Sequence, residues 1–184
     1  NMDAIMEIAN EHNLYVIEDN AQAIGADYTN KEGIKKKVGT IGHVAATSFF
    51  PSKNLGCYGD GGAIFTNDDN LAHIIRGIVN HGMYERYHHD VVGVNSRLDS
   101  IQAGVLKAKL PHLDTYNRAR QDAARKYSLA LGVNPNIVAP TICESCDCHV
   151  FHQYVIRITN GKRDGLLEHL QAKGIPCAIY YPIP

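Results

Sequence analysis

The chain has 184 residues, 45% of them apolar and 20% charged, the balance of a soluble globular protein large enough for one substantial core. A formal net charge of −1 excludes the basic field that nucleic-acid binding needs and the acidic bias of a solvating tail. No apolar run approaches the roughly 18 residues of a membrane helix and no signal-peptide pattern opens the chain, so the five cysteines read as reduced thiols of a cytoplasmic protein.

In chain order, the spacing of Ile5, Ile8, Ala9 and the methionines predicts a helix over 1–13, and LYVIED (14–19) a short buried strand ending on acids. The lysine-rich KEGIKKK (31–37) reads as a polar loop. HVAATSFF (43–50) is a second strand, leaving through Pro51, Ser52 and Lys53 into a loop with Gly56, Gly59, Gly61 and Gly62. GAIFTND (62–68) follows as a third strand, expected to be buried on both faces. A helix over 70–82 stops at Gly82, and 84–97 is a loop. A helix from Leu98 is interrupted by Pro111 and continues as a long helix closed by Gly132. Beyond it the pattern changes to strand (149–158), helix (162–174) and strand (175–183).

Strands separated by helices or long crossovers imply an α/β fold with a mostly parallel sheet. The expected division is a large α/β domain over 1–112, a connecting helix over 113–132 and a small α+β unit over 133–184. The first residues open directly in a helix and the last stop in a strand, so the chain reads as a piece of a longer protein.

Lys53 carries the chemistry. A lysine at the end of an apolar strand is commonly one that snorkels from a loop. Its company argues for use instead. Ligands collect beyond the carboxyl ends of parallel strands, where Asp19, Ser48 and Lys53 would face one crevice. An amine that can form a Schiff base, a carboxylate for a protonated ring nitrogen, and a hydroxyl with glycine amides for a phosphate together fit pyridoxal phosphate.

EDNAQAIGADY (18–28), GTIGHVAATSFFPSKNLGCYGDGGAIFTND (39–68), NHG (80–82) and GVNSRLDSIQAGVLKAKL (93–110) closely resemble the DegT/DnrJ/EryC1/StrS family of pyridoxal-phosphate-dependent sugar aminotransferases; HVFHQYVIR (149–157) and YYPIP (180–184) resemble its C-terminal domain. The resemblance implies the aspartate-aminotransferase fold (fold type I). It covers the second part of the family's chain, without the early phosphate-binding glycine turn and the ring-stacking aromatic, so these 184 residues alone are expected to be inactive and to hold the cofactor poorly. It assigns Lys53 to the Schiff base, Asp19 to the pyridine nitrogen, Gln22 to the ring's hydroxyl face and Ser48 to the phosphate. Asn95 would reach the phosphate held by a neighbouring subunit, which implies a homodimer with shared sites. Arg97, His152 and Tyr180 are expected against the substrate, although Arg97 equally suits pairing with Asp99 or a neighbouring backbone group at a helix start.

Related dehydratases carry histidine in place of this lysine, so Lys53 favours transamination: glutamate donates its amino group to a nucleotide-linked ketosugar in surface-polysaccharide or other glycan biosynthesis. The alternatives are another lysine-dependent reaction of the same fold, such as a lyase or desulfurase with Cys57 as its thiol, or a non-catalytic fragment. Cys143, Cys146, Cys148, His149 and His152 look like a zinc knot, but Cys148 and His149 are adjacent and a second ligand pair at longer spacing is missing, so no metal is expected. The tract of His81, Tyr87, His88 and His89 reads as loop.

Overall fold

A computed structural model describes residues 1–142 and 149–183. Helix α1 spans Met2–Glu11, with the Asn1 side chain accepting from the Ala4 amide at 3.2 Å. It stops short of the expected end because Asn13 turns left-handed (φ 52°) and Leu14 N–H bonds back to the Ala9 carbonyl at 2.8 Å. β1 (Ile17–Asp19) follows. The segment 31–37 is more than a loop: β2 (Asp27–Thr29) and β3 (Lys35–Lys37) form an antiparallel hairpin, turned by Asn30, whose side-chain oxygen accepts from Glu32 and Ile34 amides at 3.1 and 2.7 Å.

β4 (Val44–Ser48) and β5 (Gly62–Phe65) complete a three-stranded sheet of order β1-β4-β5. β1 and β4 run parallel with Asp19 opposite Ala46, whereas β5 runs antiparallel with Gly62 opposite Ser48. The reversal follows from the connection: the chain from Ser48 loops back on itself with Cys57 N–H on the Phe49 carbonyl (2.8 Å) and Phe49 N–H on the Gly61 carbonyl (2.7 Å), leaving no crossover helix. β5 is an outer strand of this sheet, which corrects its expected burial on both faces: Ile64 is 49% exposed.

α2 (Asp69–Val79) is capped by Asp68, whose carboxylate accepts from Asn70 and Leu71 amides. The helix ends before Gly82, which bonds back to the Gly77 carbonyl at 2.8 Å and opens a small hairpin of β6 (Met83–Glu85) and β7 (His88–His89) inside the expected loop. α3 (Ser100–Lys109) passes through a 3-10 turn at Leu110–His112, where Pro111 is accommodated, into α4 (Leu113–Leu131). The last part holds a two-stranded ladder of β8 (Ile137–Val138) and β9 (Arg157–Ile158) and helix α5 (Arg163–Ala172). Only the final two residues of the expected strand 149–158 pair, and 175–183 contains no strand, although Val150 is buried.

Phe49, Leu55, Cys57, Leu106 and Leu113 form a buried cluster, with Ile24, Ala63 and Val105 packed on it. Each large side chain there contributes about 1.5–3 kcal/mol by leaving water. The cluster lies directly under the loop that carries Lys53.

Candidate active site

Parallel pairing puts the carboxyl ends of β1 and β4 on one edge of the sheet. Asp19 is the last residue of β1, Ser48 the last of β4, and Gln22 stands exposed in the turn after β1. Asp19 Oδ1 accepts from the Ala21 amide at 3.0 Å, which fixes the carboxylate and leaves its second oxygen to face a ligand. Ser48 Oγ accepts from the Phe50 amide at 3.2 Å, so its hydroxyl proton is left to donate. Lys53 is half-buried at the tip of the loop that leaves β4, its own amide bonded to the Phe50 carbonyl at 2.9 Å.

That loop is tightly closed. The Cys57 thiol, 1% exposed, donates to the Phe49 and Gly59 carbonyls, both at 3.0 Å, and the Lys109 ammonium donates to the Gly56 carbonyl. At Gly56 a Cβ would stand 2.4 Å from the Pro51 carbonyl oxygen, so only glycine lets the loop fold onto its own start. Cys57 is thereby an interior thiol engaged with the backbone, which argues against the desulfurase alternative.

Glu18, beside Asp19, was not singled out by the sequence reading. Its buried carboxylate accepts from the Gly39, Ile41 and Gly42 amides at 2.8, 2.7 and 2.6 Å and so ties the 39–42 loop to β1. The acidic end of LYVIED was the available signal: of two adjacent acids on a strand, one points inward.

The segment from residue 149 returns to Lys53. Arg120 on α4 holds the Phe151 and His152 carbonyls at 3.3 and 3.1 Å. Among the described residues His152 Nδ1 is buried without a hydrogen-bond partner, and its imidazole is held below its ordinary pKa of 6.5 by burial first, then by the Lys53 and Arg120 charges. Burial likewise lowers His149, whose Nδ1 accepts from the Phe151 amide at 3.0 Å. Tyr180 is half exposed, its ring edge-on to Tyr181.

Asn95 and Arg97 stand apart from this group. They line an open groove of about 990 Å³ beside β5 and α2, with Thr40, Asn67 and Arg76. Asp19, Gln22, Ser48 and Lys53 are not part of its lining. Arg97 Nε donates to Asn95 Oδ1 at 3.0 Å, whereas Asp99 caps α3 by accepting from the Ile101 amide at 2.7 Å. The expected Arg97–Asp99 alternative is thus replaced by an Arg97–Asn95 pair. Cys143, Cys146 and Cys148 lie outside the described residues; among those described, no cluster of histidines, cysteines and acids suits a metal ion. No helix among the described residues is long and apolar enough to cross a membrane.

The donor set fits pyridoxal phosphate by its chemistry: a carboxylate with one open oxygen and a hydroxyl proton free to donate at one sheet edge, and an amine in the loop that leaves it. Comparison with known proteins agrees. The model of the DegT/DnrJ/EryC1/StrS aminotransferase family matches residues 1–184. The chain is 49% identical over 185 residues to a protein of Geobacillus stearothermophilus named pleiotropic regulatory protein, covering all of this chain and 48% of that one. It is 48% identical over 183 residues to the UDP-N-acetyl-3-dehydro-alpha-D-glucosamine 3-aminotransferase of Acidithiobacillus ferrooxidans, covering all of this chain and 47% of that protein. Among solved structures, S. venezuelae DesV in complex with a ketimine intermediate superposes with a TM-score of 0.91 at 43% identity, covering all of this chain and 47% of DesV. The chain thus spans about half the length of the curated relatives it matches.

Proposed function

The chain belongs to the DegT/DnrJ/EryC1/StrS aminotransferase family, and on that premise we propose that it supplies the lysine-bearing part of an enzyme that moves an amino group from glutamate to a nucleotide-linked ketosugar for glycan biosynthesis. The observation that carries this reading is that Asp19 and Ser48 end two parallel strands on one sheet edge and that Lys53 lies in the loop that leaves β4. The names of relatives that act on UDP- and dTDP-linked amino sugars support the substrate class.

When bound, pyridoxal phosphate supplies an aldehyde that exchanges amines and a ring that accepts electrons from the carbon losing its proton. The residues of this chain do the rest. Asp19, with one carboxylate oxygen fixed by the Ala21 amide, would hold the ring nitrogen and favour a proton there. Ser48 would offer its hydroxyl proton to the phosphate, and Gln22 would serve the ring's hydroxyl face. Lys53 Nζ would be the amine that holds the cofactor's aldehyde carbon and the base that could carry a proton between the donor and acceptor carbons. His152 lies close enough to Lys53 for their positive charges to oppose each other, and burial also disfavours its imidazolium form.

Asn95 and Arg97, directed into the other groove, suit a site completed by a second copy: in a two-fold dimer each chain lends them to its partner's cofactor and substrate. Absorbance tests the reading. The full-length protein with pyridoxal phosphate should turn yellow, glutamate should remove the visible band, and Lys53→Ala should abolish both responses. A band indifferent to glutamate would exclude transamination.

A further inference from the structure

Two buried asparagines connect the segments that carry the site. Asn54 follows Lys53 directly and is 6% exposed; Asn117, in the second turn of α4, is 4% exposed. Asn54 Nδ2 donates to Asn117 Oδ1 at 2.8 Å and to the Val150 carbonyl at 3.0 Å. Asn117 Nδ2 donates in turn to the Ile24 carbonyl at 3.2 Å. From one amide pair, bonds therefore reach the Lys53 loop, the long helix, the turn that follows Asp19 and Gln22, and the segment leading to His152. Gly25, left-handed at φ +86°, makes room for the pair: a Cβ there would stand 2.6 Å from Asn117 Nδ2.

Asn54 Oδ1 is buried without a partner among the described residues. An apolar pair of similar volume would remove that cost but leave the Val150 and Ile24 carbonyls without these donors. What an apolar pair cannot do is fix direction. Asn54 acts only as a donor and must reach two acceptors on separate segments, so the loop has one seating.

We propose that Asn54 and Asn117 are positioning residues that hold Lys53 in register with the Asp19–Gln22 turn and the His152 segment. This rests on the reading of Lys53 given above. Neither asparagine touches substrate; both act through Lys53.

The test uses the protein at full length. It is treated with pyridoxal phosphate, reduced with borohydride, and the label at Lys53 is compared with that at the exposed Lys36, Lys126 and Lys162. In the wild type, Lys53 should label well ahead of the reference lysines. Asn54→Asp removes both donated bonds, and Lys53 should fall by about tenfold, to the level of the references, with far-UV circular dichroism unchanged. Asn117→Asp keeps the acceptor for Asn54 and loses only the bond to Ile24, so the fall should be about threefold. Preferential labelling of Lys53 that survives Asn54→Asp would overturn the positioning role alone. Wild-type Lys53 labelling no faster than the references would overturn the reading of Lys53, and the positioning role with it. If Asn54→Asp does not fold, Asn117→Asp decides: an unchanged ratio overturns the proposal.

Discussion

At the residue scale, Lys53 has two tasks, capture of the cofactor and transfer of a proton, and no other amine in its loop can take either. Lys53→Ala should therefore leave no measurable aminotransfer, while a stability loss is not expected from a half-buried loop tip. Asp19→Asn should retain cofactor but lose about 3 kcal/mol of transition-state stabilisation, roughly a hundredfold in turnover, because an amide does not favour a proton on the ring nitrogen. Near-normal turnover would place Asp19 away from that nitrogen. His152 makes a pH prediction. Its folded pKa is lowered, so below 6.5 the unfolded chain binds the proton more readily and stability falls as pH drops toward the folded value. Melting temperature followed from pH 7.5 downward should decline below that point, and His152→Gln should flatten the decline. The strand-end positions of Asp19 and Ser48 were legible in the sequence, because an apolar run that stops on a polar residue leaves a local trace. Asn54 and Asn117 were not, since 63 positions separate them and their pairing exists only after folding. The trace of Asn117 was a polar residue on the Leu113–Ala124 face of a helix, which periodicity alone does not distinguish from a tolerated exception.

At the element scale, sequence patterning recovered the helices well and the strand ends poorly. The expected strand 149–158 reduces to Arg157–Ile158 because its first part is held by side chains instead: Asn54, Gln121 and Arg120 bond its carbonyls. Apolar alternation cannot separate that arrangement from a sheet ladder. The lysine-rich hairpin escaped notice because its three lysines, poor strand formers, are paired by backbone register and by Lys37 with Asp27. Sheet placement in turn depends on Glu18, whose carboxylate accepts from three amides of the 39–42 loop. Glu18→Gln turns one acceptor oxygen into a donor facing N–H groups. It should cost about 2–3 kcal/mol in urea unfolding. A loss under about 0.5 kcal/mol would show that water replaces the carboxylate.

At the scale of the whole molecule, the candidate residues fall into two groups: Asn95 and Arg97 line a groove whose lining does not include Lys53, Asp19, Gln22 or Ser48. Asp19 and Ser48 end β1 and β4, with Gln22 and Lys53 in the segments that follow; the groove lies beside β5. The sequence supplied both sets through family likeness, but their separation follows from the antiparallel turn into β5 and the α2 end that carries residues 94–96, with Val94 and Ser96 amides bonded to the Ile78 and Val79 carbonyls. The division makes sense if two copies exchange them. Complementation measures this directly. Full-length Lys53→Ala and Asn95→Ala proteins, each inactive or nearly so alone, are mixed in equal amounts under conditions that let subunits exchange. Random reassortment puts half the dimers in mixed form, each with one site free of both substitutions, and should restore about a quarter of the wild-type aminotransferase activity. No recovery after verified exchange would contradict a site shared between chains.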